Sequence, residues 1–283
     1  MEWQILLVDA LVGGLAGGLG ALLTRKLAAT QKVGRSIISV ALVVGGITAA
    51  NTMIAPRLRA GRDSGEIVKV GRQVFGSEQA AKLYAASLTP ILRDPKFRER
   101  LKTARKVPLG TAPPDADPSV DGAALGTTAQ LVGKGMARLT DPDKETFAEL
   151  KVALGSHSPQ LCAAFWTGQL RMEELSAAMR QLSEEQKATW IRISMDALTR
   201  EIHTTGPATA PTPEMNEAAL KTLQGALSPD EKAVFERAIQ AGPSVSSADA
   251  CAAFRMVVSR GKTLAPGVRA TLVRMMVVGP EGT

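Results

Sequence analysis

Aromatic residues are scarce in this chain of 283, which holds three Trp, one Tyr and six Phe. Strand-rich cores lean on aromatic and β-branched side chains, so this scarcity, beside plentiful Ala, Leu and Gly, argues for helices. Cysteine is scarcer still: two residues allow at most one intrachain disulfide and exclude a disulfide-built scaffold. The only histidines, His157 and His203, have no Cys or carboxylate at ligand spacing and read as loop residues, so no metal is expected. There is no Gly-rich phosphate loop between a strand and a helix, no nucleophile elbow and no zinc spacing. Glu173–Glu174 and Glu184–Glu185 fall at expected helix starts, where carboxylates favour the positive dipole end, and are not read as an acid/base pair. No catalytic residue and no cofactor are expected.

What the chain has in quantity is apolar sequence at its beginning. Residues 5–23 (ILLVDALVGGLAGGLGALL) and 37–54 (IISVALVVGGITAANTMI) flank a hinge with four basic residues and no acidic one. A 19-residue helix spans roughly 28 Å, close to the ~30 Å hydrocarbon core of a bilayer. Residues 1–56 therefore read as a transmembrane hairpin with Trp3 at the interface, Arg25 and Lys26 closing the first helix and Pro56 ending the second. A cleaved signal peptide fits poorly, because no basic segment precedes the first run and TRK follows it directly. Small residues recur four apart: Gly13 and Gly17, Gly14 and Gly18, Ala16 and Gly20, then Ala41, Gly45 and Ala49, with Gly46 and Ala50 beside them. Such stripes let helix backbones approach closely in lipid, either within the hairpin or between copies in a homo-oligomer. Asp9 is the only charge inside either run, and an antiparallel hairpin sets Asn51 at a similar depth as its hydrogen-bonding partner.

The net charge of +7 is unevenly spread. Residues 57–106 carry 13 Lys/Arg against 5 Asp/Glu, whereas 107–283 carry 17 against 20. With no nucleic-acid reading motif attached, the basic stretch fits anionic lipid headgroups better than nucleic acid, with Arg57, Arg59, Arg62, Lys69 and Arg72 as the contacts. The basic hinge points to the cytoplasm by the positive-inside rule, which sends both termini outward; the basic residues after the second helix pull the other way. The first helix usually dominates, so the expectation is a two-pass protein of a bacterial-type inner membrane with its C-terminal region extracytoplasmic. Residues 57–71 read as a loose exit, 72–106 as two helices split by Pro90 and Pro95, and 107–122 as a Pro-rich linker. The basic surface of those helices competes between a solvated face and a membrane contact.

Beyond the linker the chain resembles itself. LTDPDKETF (139–147) matches LSPDEKAVF (227–235) at an offset of 88, aligning Lys144 with Lys232 and Phe147 with Phe235. CAAF recurs at Cys162–Phe165 and Cys251–Phe254, offset 89, and LSEEQKATWIR (182–192) aligns with LAPGVRATLVR (264–274), offset 82. AAL at 123–125 and 218–220 adds an offset of 95. Each drop is seven residues, about two helical turns, which shortens a helix without rotating its buried face. The expectation is two helical modules, 123–204 and 205–283, HEAT-like or bundled, each of about four helices. Thr140 with Asp143, Ser183 with Gln186 and Ser228 with Glu231 read as N-caps with a partner three residues on. Neither CAAF is a C-terminal prenylation box, so Cys162, Phe165, Cys251 and Phe254, with Phe147 and Phe235, read as core positions. Equivalent positions in two modules are expected to face separate cores; a Cys162–Cys251 bridge tying the copies is the less favoured alternative.

The fold class expected is all-α. The function expected is non-enzymatic: a hairpin holding a duplicated helical module at the membrane surface for a protein partner. The alternatives are a pore-forming or membrane-remodelling oligomer built on the Gly-striped hairpin, and a membrane-bound enzyme with no recognisable motif.

Overall fold

The computed structural model describes residues 64–104, 131–167, 172–206, 208 and 211–278. The hairpin, its glycine stripes, the Asp9/Asn51 pair, Arg57, Arg59 and Arg62, and the linker at 107–122 lie outside the described residues. The described residues are helical, with no strand among them. In chain order they form α1 (Ser64–Phe75), α2 (Glu78–Arg93), α3 (Pro95–Ala104), α4 (131–137), α5 (Asp141–Gly155), α6 (Pro159–Thr167), α7 (Met172–Gln181), α8 (Glu184–His203), α9 (Pro213–Gly225), α10 (Pro229–Ala241), α11 (Ser247–Gly261) and α12 (Pro266–Val278). No described helix is long and apolar enough to cross a membrane.

The caps read from the sequence are formed. Thr140 and Ser228 accept from the backbone N–H three residues on, as does Ser183, and at Ser183 and Ser228 the Gln186 or Glu231 side chain reaches back to the cap. These bonds satisfy donors that a helix leaves unpaired at its start. Two local expectations are corrected. The exit segment is already helical from Ser64, because Ile67, Val70, Val74 and Phe75 bury one face of α1. Pro90 does not split α2, since it and Ala86, whose carbonyl loses its partner, lie on the exposed side. The break comes at Asp94, whose side chain accepts from the N–H groups of Lys96 and Phe97 and starts α3.

Between CAAF of α6 and Leu182 lies α7, whereas the helix that carries the later CAAF, α11, runs on to Gly261. Leu175, Ala178 and Met179 of α7 are buried, and Arg180 donates to the Gln73 carbonyl at 3.1 and 3.2 Å, holding α7 against the end of α1.

The 20-residue α8 receives elements that precede it in sequence. The α1/α2 hairpin packs on it, Phe97 is buried as α3 docks, and α4 approaches so closely at Gly135 that a Cβ there would overlap the Ala197 carbonyl. Arg138, just past α4, forms a buried ion pair with Glu201 at 2.6 Å. The segment expected as a separate juxtamembrane piece therefore shares a core with the helices after the linker, and that core runs unbroken from Ile67 to Val277.

Candidate functional site

Two places stand out. The first is the junction of α6 and α11, the helices that carry CAAF and pack extensively on one another. Cys162 and Cys251 are disulfide-bonded, with Cα atoms 5.0 Å apart. One turn on, the Phe165 and Phe254 rings stack at 5.7 Å, while Trp166 meets Phe235 edge-on at 5.9 Å. The expectation of separate cores is corrected here: each cysteine faces its counterpart. The approach depends on a glycine at the end of α5, because a Cβ on Gly155 would lie 2.9 Å from the Cβ of Cys162.

Lys151 sits beside this junction, 1 % exposed. Its ammonium donates to the Met276 carbonyl at 3.0 Å and lies 5.4 Å from the Phe147 ring centroid and 5.8 Å from that of Phe165. Burial penalises the charged amine and pushes its pKa down to about 7. Sequence reading missed it. The signal was present, since Lys151 stands four residues after Phe147 and three before Leu154 on an apolar stripe. Lys144 is buried too, donating to the Leu139 carbonyl and to Asp141, which secures the loop that starts α5; burial lowers its pKa. Both amines are engaged within the fold.

The second place is a groove of about 500 Å³ between α2 and α8. Leu83, Ile91 and Met195 give it an apolar side, and Arg192 and Asp196 a charged one. Arg192 is held by Asp143 at 2.9 Å and Asp196 by Arg200 at 2.8 Å, so both rims are tied to the body of the protein. Leu83 is 38 % exposed on this groove. At the head of the groove's two helices, the hydroxyl of Ser77 donates to Glu184 at 2.5 Å and helps hold that carboxyl below its usual range.

The remaining sequence-assigned residues are dispersed. Phe147 packs on Trp190 at 4.4 Å and Phe235 on Trp166, so both lie in the core. Lys69 is exposed on α1, and Arg72 bonds Glu78 across the α1–α2 turn. His157 is exposed in the turn after α5. His203, expected in a loop, ends α8 and meets Asp94 at 2.8 Å, a carboxylate that only the tertiary fold brings to it. No group of three or more His, Cys, Asp or Glu able to hold a metal occurs among the described residues.

The fold and these sites define an all-helical protein with a disulfide-bridged helix pair and a shallow mixed groove. Comparison with protein-family models, with curated proteins and with solved structures finds no match.

Proposed function

We propose that the chain is a membrane-anchored, non-enzymatic protein that presents a duplicated helical body to a protein partner. The observation that carries this reading is the continuity of the core: α1 begins eight residues after Pro56 and is already part of the same packed unit as α12. A hairpin so joined to a rigid body would hold that body at the bilayer. The α2–α8 groove, with an exposed leucine and a charged rim, has the mixed character of a recognition surface.

The duplication is supported by the way matched residues meet. Cys162 bonds Cys251 and Phe165 stacks on Phe254, each with its own counterpart, as two copies related by a local two-fold axis would do. The bridge also favours the extracytoplasmic orientation, because disulfides persist in oxidising compartments and are rare in the cytosol.

Two measurements test the proposal. In intact cells, Cys162 and Cys251 should resist thiol labelling until a reductant is added; labelling without reductant would place the body in a reducing compartment. Carbonate-washed membranes should retain the chain, and a partner purified with it in mild detergent should be lost from Leu83→Asp while a Lys232→Asp control keeps it. Equal retention by both variants would remove the groove from the reading, and release of the chain by carbonate would remove the anchor.

A further inference from the structure

The helical hairpin α1/α2 turns at Gly76–Ser77, where Gly76 takes a φ of 66°. Gly71 and Ala81, each five residues or fewer from that turn, touch closely enough that a Cβ on Gly71 would lie 2.9 Å from the Ala81 Cα. The two helices are therefore antiparallel, and the end of α2 returns to the start of α1. At 1.5 Å per residue, α1 is roughly 18 Å long and α2 roughly 24 Å, so the last turn of α2 reaches past Ser64 and α3 follows it there. The chain enters the helical body at this end, through Ser64.

The surface at this end is basic. Arg93, Lys96, Arg98 and Arg100 are exposed; Glu99 is the exposed acid among them, and Asp94 is engaged with His203 and with the N–H groups of Lys96 and Phe97. Phe97 is buried in the core, while Lys96 and Arg100, four apart and both exposed, lie along one flank of α3. A lipid contact through these side chains is electrostatic. By contrast Arg72, one of the sequence-assigned headgroup contacts, lies at the opposite end beside the turn and is bound to Glu78.

We propose that the end of the molecule formed by Arg93, Lys96, Arg98 and Arg100 is a docking surface for anionic lipid headgroups, which sets the orientation of the helical body against the bilayer. The inference rests on the membrane-anchored reading for the side from which the chain arrives. Juxtamembrane Lys and Arg clusters are drawn to anionic leaflets by a surface potential that fades within a Debye length.

The test uses the full chain in vesicles of phosphatidylcholine, with or without phosphatidylglycerol, carrying a headgroup spin-labelled quencher. A fluorophore is attached through Lys96→Cys, or through Gln79→Cys at the other end of α2, under non-reducing conditions that leave the native bridge closed. With phosphatidylglycerol present, the label at 96 should be quenched and the label at 79 should not. The difference should be lost in ~1 M salt, where the Debye length is about 3 Å, and on adding Arg93→Gln and Arg100→Gln. Equal quenching at both positions, or quenching indifferent to phosphatidylglycerol and salt, overturns the surface. Flotation with pure phosphatidylcholine vesicles scores the anchor separately. Flotation without selective quenching overturns the surface and keeps the anchor. Flotation only with phosphatidylglycerol, with selective quenching, keeps the surface and removes the anchor, and flotation with neither removes both. A mixed-sequence oligonucleotide that changes the signal at 96 under conditions where anionic vesicles do not would assign the face to nucleic acid and overturn the proposal.

Discussion

A lysine on an apolar stripe is the clearest residue-scale departure from local expectation. Lys144 and Lys232 occupy matched positions, yet Lys144 is buried against the Leu139 carbonyl while Lys232 is exposed beside Glu236 at 3.9 Å. Their sequence contexts are alike; what covers them is not. Lys151 goes further, because its amine is held near neutrality by burial. Its folded pKa of about 7 lies below the roughly 10.4 of an unfolded lysine. Between these values the unfolded state binds more protons, so stability should rise as pH rises from about 7 towards 10, and be lost as pH falls. Urea titrations across that range should show the slope, and Lys151→Met should flatten it. An unchanged slope in the variant would mean that other groups carry the pH dependence. Tyr84 is a quieter case: its buried hydroxyl has no hydrogen-bonding partner among the described residues, and burial pushes its pKa up.

At the scale of elements, the capping residues were legible because each N-cap is a short-range bond between a side chain and a backbone N–H three residues on. Thr140, Ser183 and Ser228 act as their sequences indicate. The end of α2 was less legible, since the carbonyl that Pro90 orphans is open to water, which lessens the cost of a proline inside the helix. The seat of α7 was not legible, since Arg180 holds it to the Gln73 carbonyl of α1, a contact 107 residues apart in sequence. The α6–α11 pair yields the prediction at this scale. The bridge closes a separation of 89 residues, and closing a loop of that order stabilises a fold by about 2–5 kcal/mol in chain-entropy terms. Cys162→Ser with Cys251→Ser should lower the stability measured by urea unfolding by about that amount, as should a reductant on the native chain. A loss well below that would mean that the surrounding Phe165, Phe254, Trp166 and Phe235 contacts hold the pair without it.

For the whole molecule, the decisive fact is that α1–α3 belong to the same core as α8. Ser77 reaches Glu184, Asp94 reaches His203 and Gln73 receives Arg180, so three separate points tie the early helices to later ones. Deleting 64–104 while joining the hairpin to the rest should therefore uncover α8 and destabilise what remains, not simply remove a spacer. Thermal melts followed by helical circular dichroism should show a lower and broader transition than the full chain. An unchanged transition would show that the later helices fold by themselves. The position of the basic end is a property of the same scale: it depends on α2 running back beside α1.

By itself, the sequence determined the all-helical class, the capped helix starts and the apolar positions, because each rests on local propensity, short-range bonding or helical periodicity. Its two apolar runs also point to a bilayer, a reading outside the described residues. Only the tertiary structure decided that Cys162 and Cys251 meet, that Lys151 is buried, that Leu83 faces a groove and that His203 finds Asp94. Each of these brings together groups far apart in the chain, and periodicity assigns a residue to a face of its helix without saying what that face will meet.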